Sequence, residues 1–460
     1  MTGIAARRVV VTGIGVISPI GTSTEQFWTG CLQAQSVVAP IPDRWHQYAD
    51  FKSSIWSPLP EIDYAAYSLT RVERMQTDPV SLIALCAARE AIANAGLTLS
   101  LQNKRANAYA IEGIDVSRAG VFMGTGTGGV KSFHENDVYN VLARPKSALK
   151  QLTQEFPLTE EQASALQDIL KCWEHILRFN PFVVSMLMPN AVSAILGIKL
   201  SLSGPNTTYA MACASGTVAI GQAFRAIRSG QLDIALSGGS EYLDHDCGGI
   251  FRGFDIANTL VQDCADPQKA NRPFDEKRSG FLYSQGGAAV LLLEEYEGAR
   301  KRGAPIIAEV SGYGETFDAY SMMSIAPEGT EIERMMRLAL EDAQLGPGDI
   351  DYINAHGTGT QLNDITEAMV IERVFGRDVL VNATKSLLGH SIGASGALEA
   401  AVTALSLQHQ TTHVCKNLEQ PICALNFVRS PGPRKISAAL SQSFAFGGHN
   451  AALVLQRAEN

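Results

Sequence analysis

Of the eight cysteines in the chain, Cys213 stands apart by its neighbours. It lies in Ala210-Met-Ala-Cys213-Ala-Ser-Gly216, between an extended stretch and an apolar helical pattern. A thiol placed there faces the positive end of a helix dipole, which favours thiolate. Small flanking residues leave room for an electrophile, so the chemistry would be nucleophilic and covalent. A cysteine alone would still read as structural. Its companions change that reading. His356 sits in Asn354-Ala-His-Gly-Thr-Gly-Thr360, and His390 in Thr384-Lys385-Ser-Leu-Leu-Gly-His390-Ser-Ile-Gly. Both lie in glycine-rich turns, where backbone and ligand can approach closely. Ser443-Phe-Ala-Phe446-Gly-Gly-His-Asn450 adds an aromatic turn with free N–H groups.

Other motifs carry less. Gly124-Thr-Gly-Thr-Gly-Gly129 fits GxGxxG after a strand, but no second strand with an acidic end follows at dinucleotide spacing, so a close-packed turn is the better reading. Gly13-Ile-Gly15 is weaker still. His409 and His413 have a metal-compatible spacing but read as a solvated helix end, and His245 with Cys247 reads as a polar loop. No chemistry is assigned to His46, His134 or His175, and no metal is expected. Lys277-Arg278 and Arg300-Lys-Arg302 read as solvated charge, and most cysteines other than Cys213 as reduced, buried small hydrophobes.

Positioning these residues requires layered elements. Strands are read at Arg8–Thr12, Gly120–Met123, Asp233–Ser237, Ala288–Leu293, Ile306–Tyr313 and Ile350–Asn354. They alternate with helices at Pro79–Ala95, Ser215–Ile227, Glu331–Ala343 and Ser395–Gln408, the pattern of an α/β protein with buried sheets. A faint repeat runs through the chain. Gly-Thr-Gly-Thr at 124–127 and 357–360 each precede an Ala-Ser-Gly helix start, at 214–216 and 394–396. Ala143–Phe182 reads as an insertion in the first half, with an amphipathic helix at Thr159–Trp173 capped by Thr159 and Gln162.

The length of 460 residues allows two to four domains or one large duplicated fold, and 46% hydrophobic with 18% charged residues is ordinary for a large soluble enzyme. The net charge of −9 argues against bulk nucleic-acid binding. No run reaches the ~18 apolar residues of a membrane span, and the N-terminus lacks the apolar run of a secretory peptide, so a cytoplasmic protein is expected.

With these motifs in this order, the chain resembles the β-ketoacyl-acyl carrier protein synthases of the condensing-enzyme (thiolase-like) superfamily, most closely the elongating type. The resemblance runs from Val9-Val-Val-Thr-Gly-Ile-Gly15 to Phe444–Asn450, apart from the insertion. It implies a five-layer α-β-α-β-α fold of two similar βαβαβαββ halves, here 1–295 and 296–460, and a dimer. It also implies decarboxylative Claisen condensation of an acyl group on Cys213 with malonyl-acyl carrier protein. The substrates ride on phosphopantetheine, and no other cofactor is implied. His356 and His390 would stabilise an enolate. The backbone N–H groups of Cys213 and Phe446 would form an oxyanion hole. Lys385 would pair with Glu367, with Asp364 and Glu399 as supports. Thr358 and Thr360 would hold the phosphopantetheine arm, Phe446 would gate between the acyl and malonyl sites, and Phe444 would contact substrate. Two histidines, rather than histidine and asparagine, distinguish the chain from initiating synthases, and the C-terminal loop lacks the second cysteine of thiolases.

Several residues depart from the elongating pattern. Gln285 stands where a glutamate is usual, Met211 and Thr127 fall where the acyl pocket would be lined, and the insertion is unusual. These departures favour a polyketide or polyene pathway over housekeeping fatty-acid synthesis, as a homodimer or paired with a chain-length-factor-like subunit. The carrier protein is acidic, so Arg71, Arg74, Arg144, Lys146 and Arg252 are candidates for its dock. Two alternatives stay open: an acyltransferase that uses the Cys213-bound acyl group, and a non-catalytic subunit of the chain-length-factor kind.

Overall fold

Ala288–Leu293 is apolar at every position, which suits a strand covered on both faces. In the structure, Ala289, Leu291 and Leu293 enter one core, while Ala288, Val290 and Leu292 enter another. The computed structural model describes residues 7–171, 179–262 and 266–458. The expectations for Cys172, Trp173, His175 and Cys264 lie outside the described residues.

In chain order, the elements used below begin with strand β1 (Val9–Ile17), helices α1 (Arg71–Gln76) and α2 (Pro79–Asn94), and strand β2 (Ala119–Gly124). Helices α3 (Val130–Glu155) and α4 (Glu160–Lys171) follow, then β3 (Asn206–Tyr209), α5 (Ser215–Arg228), β4 (Ile234–Tyr242) and α6 (Gly249–Ile256). Next come β5 (Gly286–Glu295), β6 (Ala308–Phe317), α7 (Thr330–Ala343), β7 (Tyr352–Asn354) and α8 (Gln361–Phe375). The chain ends with β8 (Leu380–Asn382), α9 (Ser395–His409), β9 (Asn426–Phe427), β10 (Ala438–Phe444) and β11 (His449–Gln456).

Among the described residues these strands form one sheet of eleven, in the order β9-β8-β7-β10-β11-β6-β1-β5-β4-β2-β3. It is two copies of one pattern. In the first, β2 is parallel to β3 and β4, and β5 is antiparallel to β4 and β1. In the second, β7 is parallel to β8 and β10, and β11 is antiparallel to β10 and β6. The copies meet where Val9–Val11 of β1 pair antiparallel with β6. Helices α5 and α9 fill the core between the copies. Helix α2 covers the outer face of the first copy, and α7 with α8 that of the second. This is the five-layer α-β-α-β-α order that the resemblance implies.

The two Ala-Ser-Gly motifs mark the crossing of the central helices. A Cβ on Gly216 would lie 2.7 Å from the Ala397 backbone nitrogen, and one on Gly396 would lie 2.1 Å from Thr217 Oγ1. Only glycine lets α5 and α9 approach that closely, and the crossing brings the turn before each helix to one place. Cys213 lies in the turn Ala212–Ala214 before α5, and His390 in the segment before α9.

The insertion differs in detail from the expectation. Helix α3 starts at Val130 and continues through Pro145 to Glu155. Proline removes the N–H that Val141 O would accept, but both residues are exposed and water can satisfy that carbonyl. The cap of α4 is as read: Thr159 N donates to Gln162 Oε1 at 3.1 Å and Gln162 N to Thr159 Oγ1 at 3.2 Å. No helix among the described residues is long and apolar enough to cross a membrane.

Candidate active site

Cys213, His356 and His390 are each at least 97% buried, and one ligand atom from each falls within 4.8 Å of the others. Cys213 Sγ is 3.0 Å from His390 Nε2. The two imidazoles meet edge to face, with centroids 5.6 Å apart. The three residues line a cleft of about 190 Å³, together with Thr358, Thr360, Phe444 and Phe446. The Thr358 and Thr360 hydroxyls are 2.8 Å apart. The Phe446 backbone N–H is directed at the Cys213 sulfur, and the Phe446 ring stacks on Phe254 of α6 at 6.1 Å.

The expected lowering of the thiol pKa is corrected. Burial pushes Cys213 up to about 12, against the opposing pull of the Lys385 charge and the Phe446 N–H. The helix dipole is outweighed because the sulfur is removed from water. The resting nucleophile is therefore a thiol in contact with His390. Burial and the Lys385 charge hold both histidines well below the usual imidazole range, so both rings are neutral.

The pairing of Lys385 with Glu367 is also corrected. Lys385 Nζ pairs with Glu399 of α9, and donates to His356 O at 2.7 Å and to His356 Nδ1 at 3.0 Å. Glu367 instead holds the His356 turn from behind. It accepts from His356 N at 2.6 Å, Gly357 N at 2.8 Å and Gln442 Nε2 at 2.7 Å. Those donors already occupy its oxygens, so the ammonium goes to the carboxylate one helical turn into α9. Burial pushes both Glu367 and Glu399 up to about 7. Asp364 accepts from Phe274 N at 2.7 Å and Gly359 N at 3.2 Å, fixing the Thr358–Thr360 turn.

Met211 and Thr127 do not line this cleft. Met211 is half-buried against the central core, and Thr127 is exposed with its hydroxyl on Glu241. None of the five candidate docking residues lines it either. Arg71 and Arg74 stand on α1, Arg144 and Lys146 on α3, and Arg252 on α6, the helix that carries Phe254. Arg74 lies on the wall of a separate groove of about 630 Å³ with Lys131 and His134.

Several buried polar residues had no signal in the sequence. Glu241 accepts from Gly126 N at 2.6 Å, Thr127 N at 3.1 Å and Gly393 N at 3.0 Å. It ties the glycine-rich turn after β2 to the segment after His390. The chain's own carboxylate thus occupies the N–H groups that a phosphate would need. Arg278, read as solvated, is 4% exposed and donates to Gln361 O at 2.9 Å. Arg302 is half-buried and donates to Glu294 Oε2 at 2.8 Å. His413, read as part of a solvated helix end, is fully buried, with Nε2 3.0 Å from Thr384 Oγ1. His245 is buried too, its ring 4.5 Å from that of His134.

Gln285 sits outside the cleft. Its Oε1 accepts from Leu59 N at 2.8 Å, and its Nε2 donates to the Tyr242 hydroxyl at 3.0 Å and faces Asp244 at 3.5 Å. An amide satisfies donor and acceptor at once, whereas a carboxylate would set a second negative charge beside Asp244. Gln285→Glu is expected to cost about 1–2 kcal/mol near pH 8. The new carboxyl would have a folded-state pKa above its unfolded value, so the folded protein would bind the extra proton. The cost therefore shrinks toward pH 5 and grows with rising pH. Urea unfolding midpoints at the two pH values check this.

Comparison with known proteins agrees with this geometry. The chain matches the family described as "Beta-ketoacyl synthase, N-terminal domain" over residues 6–298 and "Beta-ketoacyl synthase, C-terminal domain" over 307–419. It is 33% identical over 465 residues to the 3-oxoacyl-[acyl-carrier-protein] synthase 2 of Synechocystis sp., covering 99% of this chain and 100% of that one. The synthase of the same name from Staphylococcus aureus is 33% identical over 468 residues, covering 98% and 99%. Among solved structures, the ishigamide ketosynthase/chain length factor is 31% identical with a TM-score of 0.79, covering 99% of this chain and 100% of that one. A beta-ketoacyl synthase from Burkholderia phymatum is 29% identical with a TM-score of 0.80, covering 98% and 100%. A ketosynthase in complex with its type II polyketide synthase acyl-carrier protein and bound to the hexaketide is 27% identical with a TM-score of 0.78, covering 99% and 100%. With a thiolase-like fold, a buried cysteine between two neutral histidines and both family domains in register, the chain belongs to the β-ketoacyl synthase family of condensing enzymes.

Proposed function

We propose that this protein extends a Cys213-bound acyl group by two carbons from malonyl-acyl carrier protein, giving a 3-oxoacyl-carrier protein and carbon dioxide. The observation that carries this is the convergence of Cys213, His356 and His390 on the lining of one cleft.

The geometry supports two half-reactions. In the first, Sγ attacks the thioester carbonyl while its proton passes to His390 Nε2, 3.0 Å away. The oxyanion is met by the backbone N–H groups of Phe446 and Cys213. Collapse breaks the carrier's C–S bond, and the departing thiolate takes the proton. In the second, the bond between the malonyl carboxylate and its α-carbon breaks and carbon dioxide leaves. The electron pair becomes an enolate, whose oxygen accepts N–H groups from His356 and His390. The enolate carbon attacks the acyl carbonyl, the C–S bond to Cys213 breaks, and the sulfur takes up one proton.

Neutral imidazoles suit this work because each offers an N–H without giving up a proton. Lys385 carries donors only, so its contact at His356 Nδ1 leaves that ring's proton on Nε2, toward the cleft. Thr358 and Thr360 hold the phosphopantetheine arm through their paired hydroxyls at the cleft wall.

The finer reading is a synthase of a polyketide or polyene pathway, as a homodimer or paired with a chain-length-factor-like subunit. Gln285, the long α3–α4 insertion and the likeness to the ishigamide ketosynthase/chain length factor support it. Arg252 is the favoured carrier contact, because its helix also carries the ring stacked on Phe446.

The test mixes the protein with acyl-carrier protein, then malonyl-carrier protein, and follows both by intact mass. The reading expects the acyl mass on Cys213 and then a 3-oxoacyl carrier two carbons longer. Loading without malonyl consumption would make the protein an acyltransferase. No loading at any acyl length, with or without a partner subunit, would make it a non-catalytic relative.

A further inference from the structure

The two histidines of the site have different partners on the nitrogen away from substrate. His356 Nδ1 meets the Lys385 ammonium, which can only donate. His390 Nδ1 lies 3.0 Å from the Ser395 hydroxyl at the start of α9, and Ser395 Oγ lies 3.2 Å from Ser391 Oγ. Ser395 is 3% exposed and Ser391 1%, so bulk water does not compete for these contacts. A hydroxyl both donates and accepts.

We propose that Ser395 is a positioning residue that lets His390 use either tautomer, so that one imidazole serves both half-reactions. This inference rests on the condensing reading above. During loading, Nε2 needs a free lone pair to take the Cys213 proton. The ring then carries its proton on Nδ1 and donates it to Ser395 Oγ. During condensation, Nε2 must present an N–H to the enolate oxygen. Nδ1 is then bare, and Ser395 O–H turns to donate to it, with Ser391 Oγ in reach of the rotating hydroxyl. Neither state leaves a buried polar atom of the ring unpaired. A lysine or a backbone carbonyl in that place would hold His390 in one tautomer, as Lys385 holds His356.

Ser395→Ala removes the acceptor for Nδ1–H. Both tautomers lose their Nδ1 partner, but a buried N–H with no acceptor costs more than a bare ring nitrogen, so the ring shifts to the Nε2–H form. That form still donates to an enolate but does not accept the thiol proton. The expected result is a fall of about 10- to 100-fold in the rate of Cys213 acylation, with KM for the acyl carrier unchanged. Malonyl decarboxylation should stay within about twofold. Ser395→Thr, which keeps the hydroxyl, should recover loading to within about threefold.

The direct readout is the 15N spectrum of histidine-labelled protein, with His390 assigned by its loss in His390→Gln. Wild type should show His390 averaging between tautomers, and Ser395→Ala should show Nε2–H alone. An unchanged spectrum, or an equal fall in both half-reactions, would overturn the proposal. If the wild-type protein neither loads nor decarboxylates, the condensing reading fails, and the spectrum still decides the role of Ser395.

Discussion

Cys213→Ala is expected to abolish acyl loading and to lower condensation by at least ~10,000-fold, while malonyl decarboxylation continues. Sγ is the atom that forms the thioester bond, and the other described side chains of the cleft offer no thiol to replace it. The enolate, in contrast, is held by His356 and His390, and neither depends on the sulfur for its place. His356 is fixed by Lys385 and by the Glu367 bonds to its turn. His390 is fixed by Ser395 and by its own backbone N–H, which donates to Leu282 O at 2.7 Å. Intact-mass spectrometry after acyl-carrier addition reads the first loss. Carbon dioxide release from malonyl-carrier protein reads the retained step. Loss of both activities with an unchanged fold would mean that the sulfur takes part in decarboxylation. Retained condensation would remove Cys213 from the mechanism.

The nucleophile's placement and its ionisation are set at different levels of the structure. Its placement was legible in the sequence only together with the His356 and His390 turns, because small residues before an apolar helix suit a structural cysteine equally well. Its ionisation was not. The local pattern announces a helix dipole, but the desolvation that outweighs it comes from residues distant in the chain, such as Phe281 and Ile392 in the cluster around Cys213. Lys385 shows the same limit. Its motif marks it as part of the site, yet two carboxylates could receive it. Only the three-dimensional fold decides that Glu367 is already engaged by backbone N–H groups.

The fold divides in a similar way. Continuous apolar runs such as Ala288–Leu293 announce strands covered on both faces. The repeated Ala-Ser-Gly motifs announce two halves, though not that their glycines are where the central helices touch. The C-terminal strand β10 is less legible, because the buried polar residues Ser441, Gln442 and Ser443 interrupt the apolar run that would mark a strand covered on both faces. Arg278 and His413 were read as solvated because a charged or polar side chain is hidden only by distant partners, here the carbonyl of Gln361 and the hydroxyl of Thr384.

Lys385→Met carries the second large effect, and it joins stability to catalysis. The ammonium has three partners: Glu399, His356 O and His356 Nδ1. Removing it leaves a buried carboxylate without its counter-charge, which costs about 3–5 kcal/mol of stability. It also frees His356 to move its proton from Nε2 to Nδ1, so condensation should fall about 100- to 1,000-fold even in protein that stays folded. The pH dependence follows from Glu399. Burial raises it from 4.5 to about 7, against the pull of Lys385. Without Lys385 its folded-state pKa rises further, so the folded protein binds more protons than the unfolded one over a wider range. Stability then falls as pH rises from about 4.5 upward, and the deficit against wild type is smallest near pH 5.5 and largest near pH 8.5. Adding Glu399→Gln removes the stranded charge, so the double variant should regain most of the stability and lose the steep pH dependence. It should not regain condensation, because His356 still lacks its donor. Thermal midpoints across this pH range and condensation rates on the folded fraction check both halves. If the double variant recovers the rate as well, Lys385 acts on the reaction only by neutralising Glu399, and the assignment of the His356 tautomer falls.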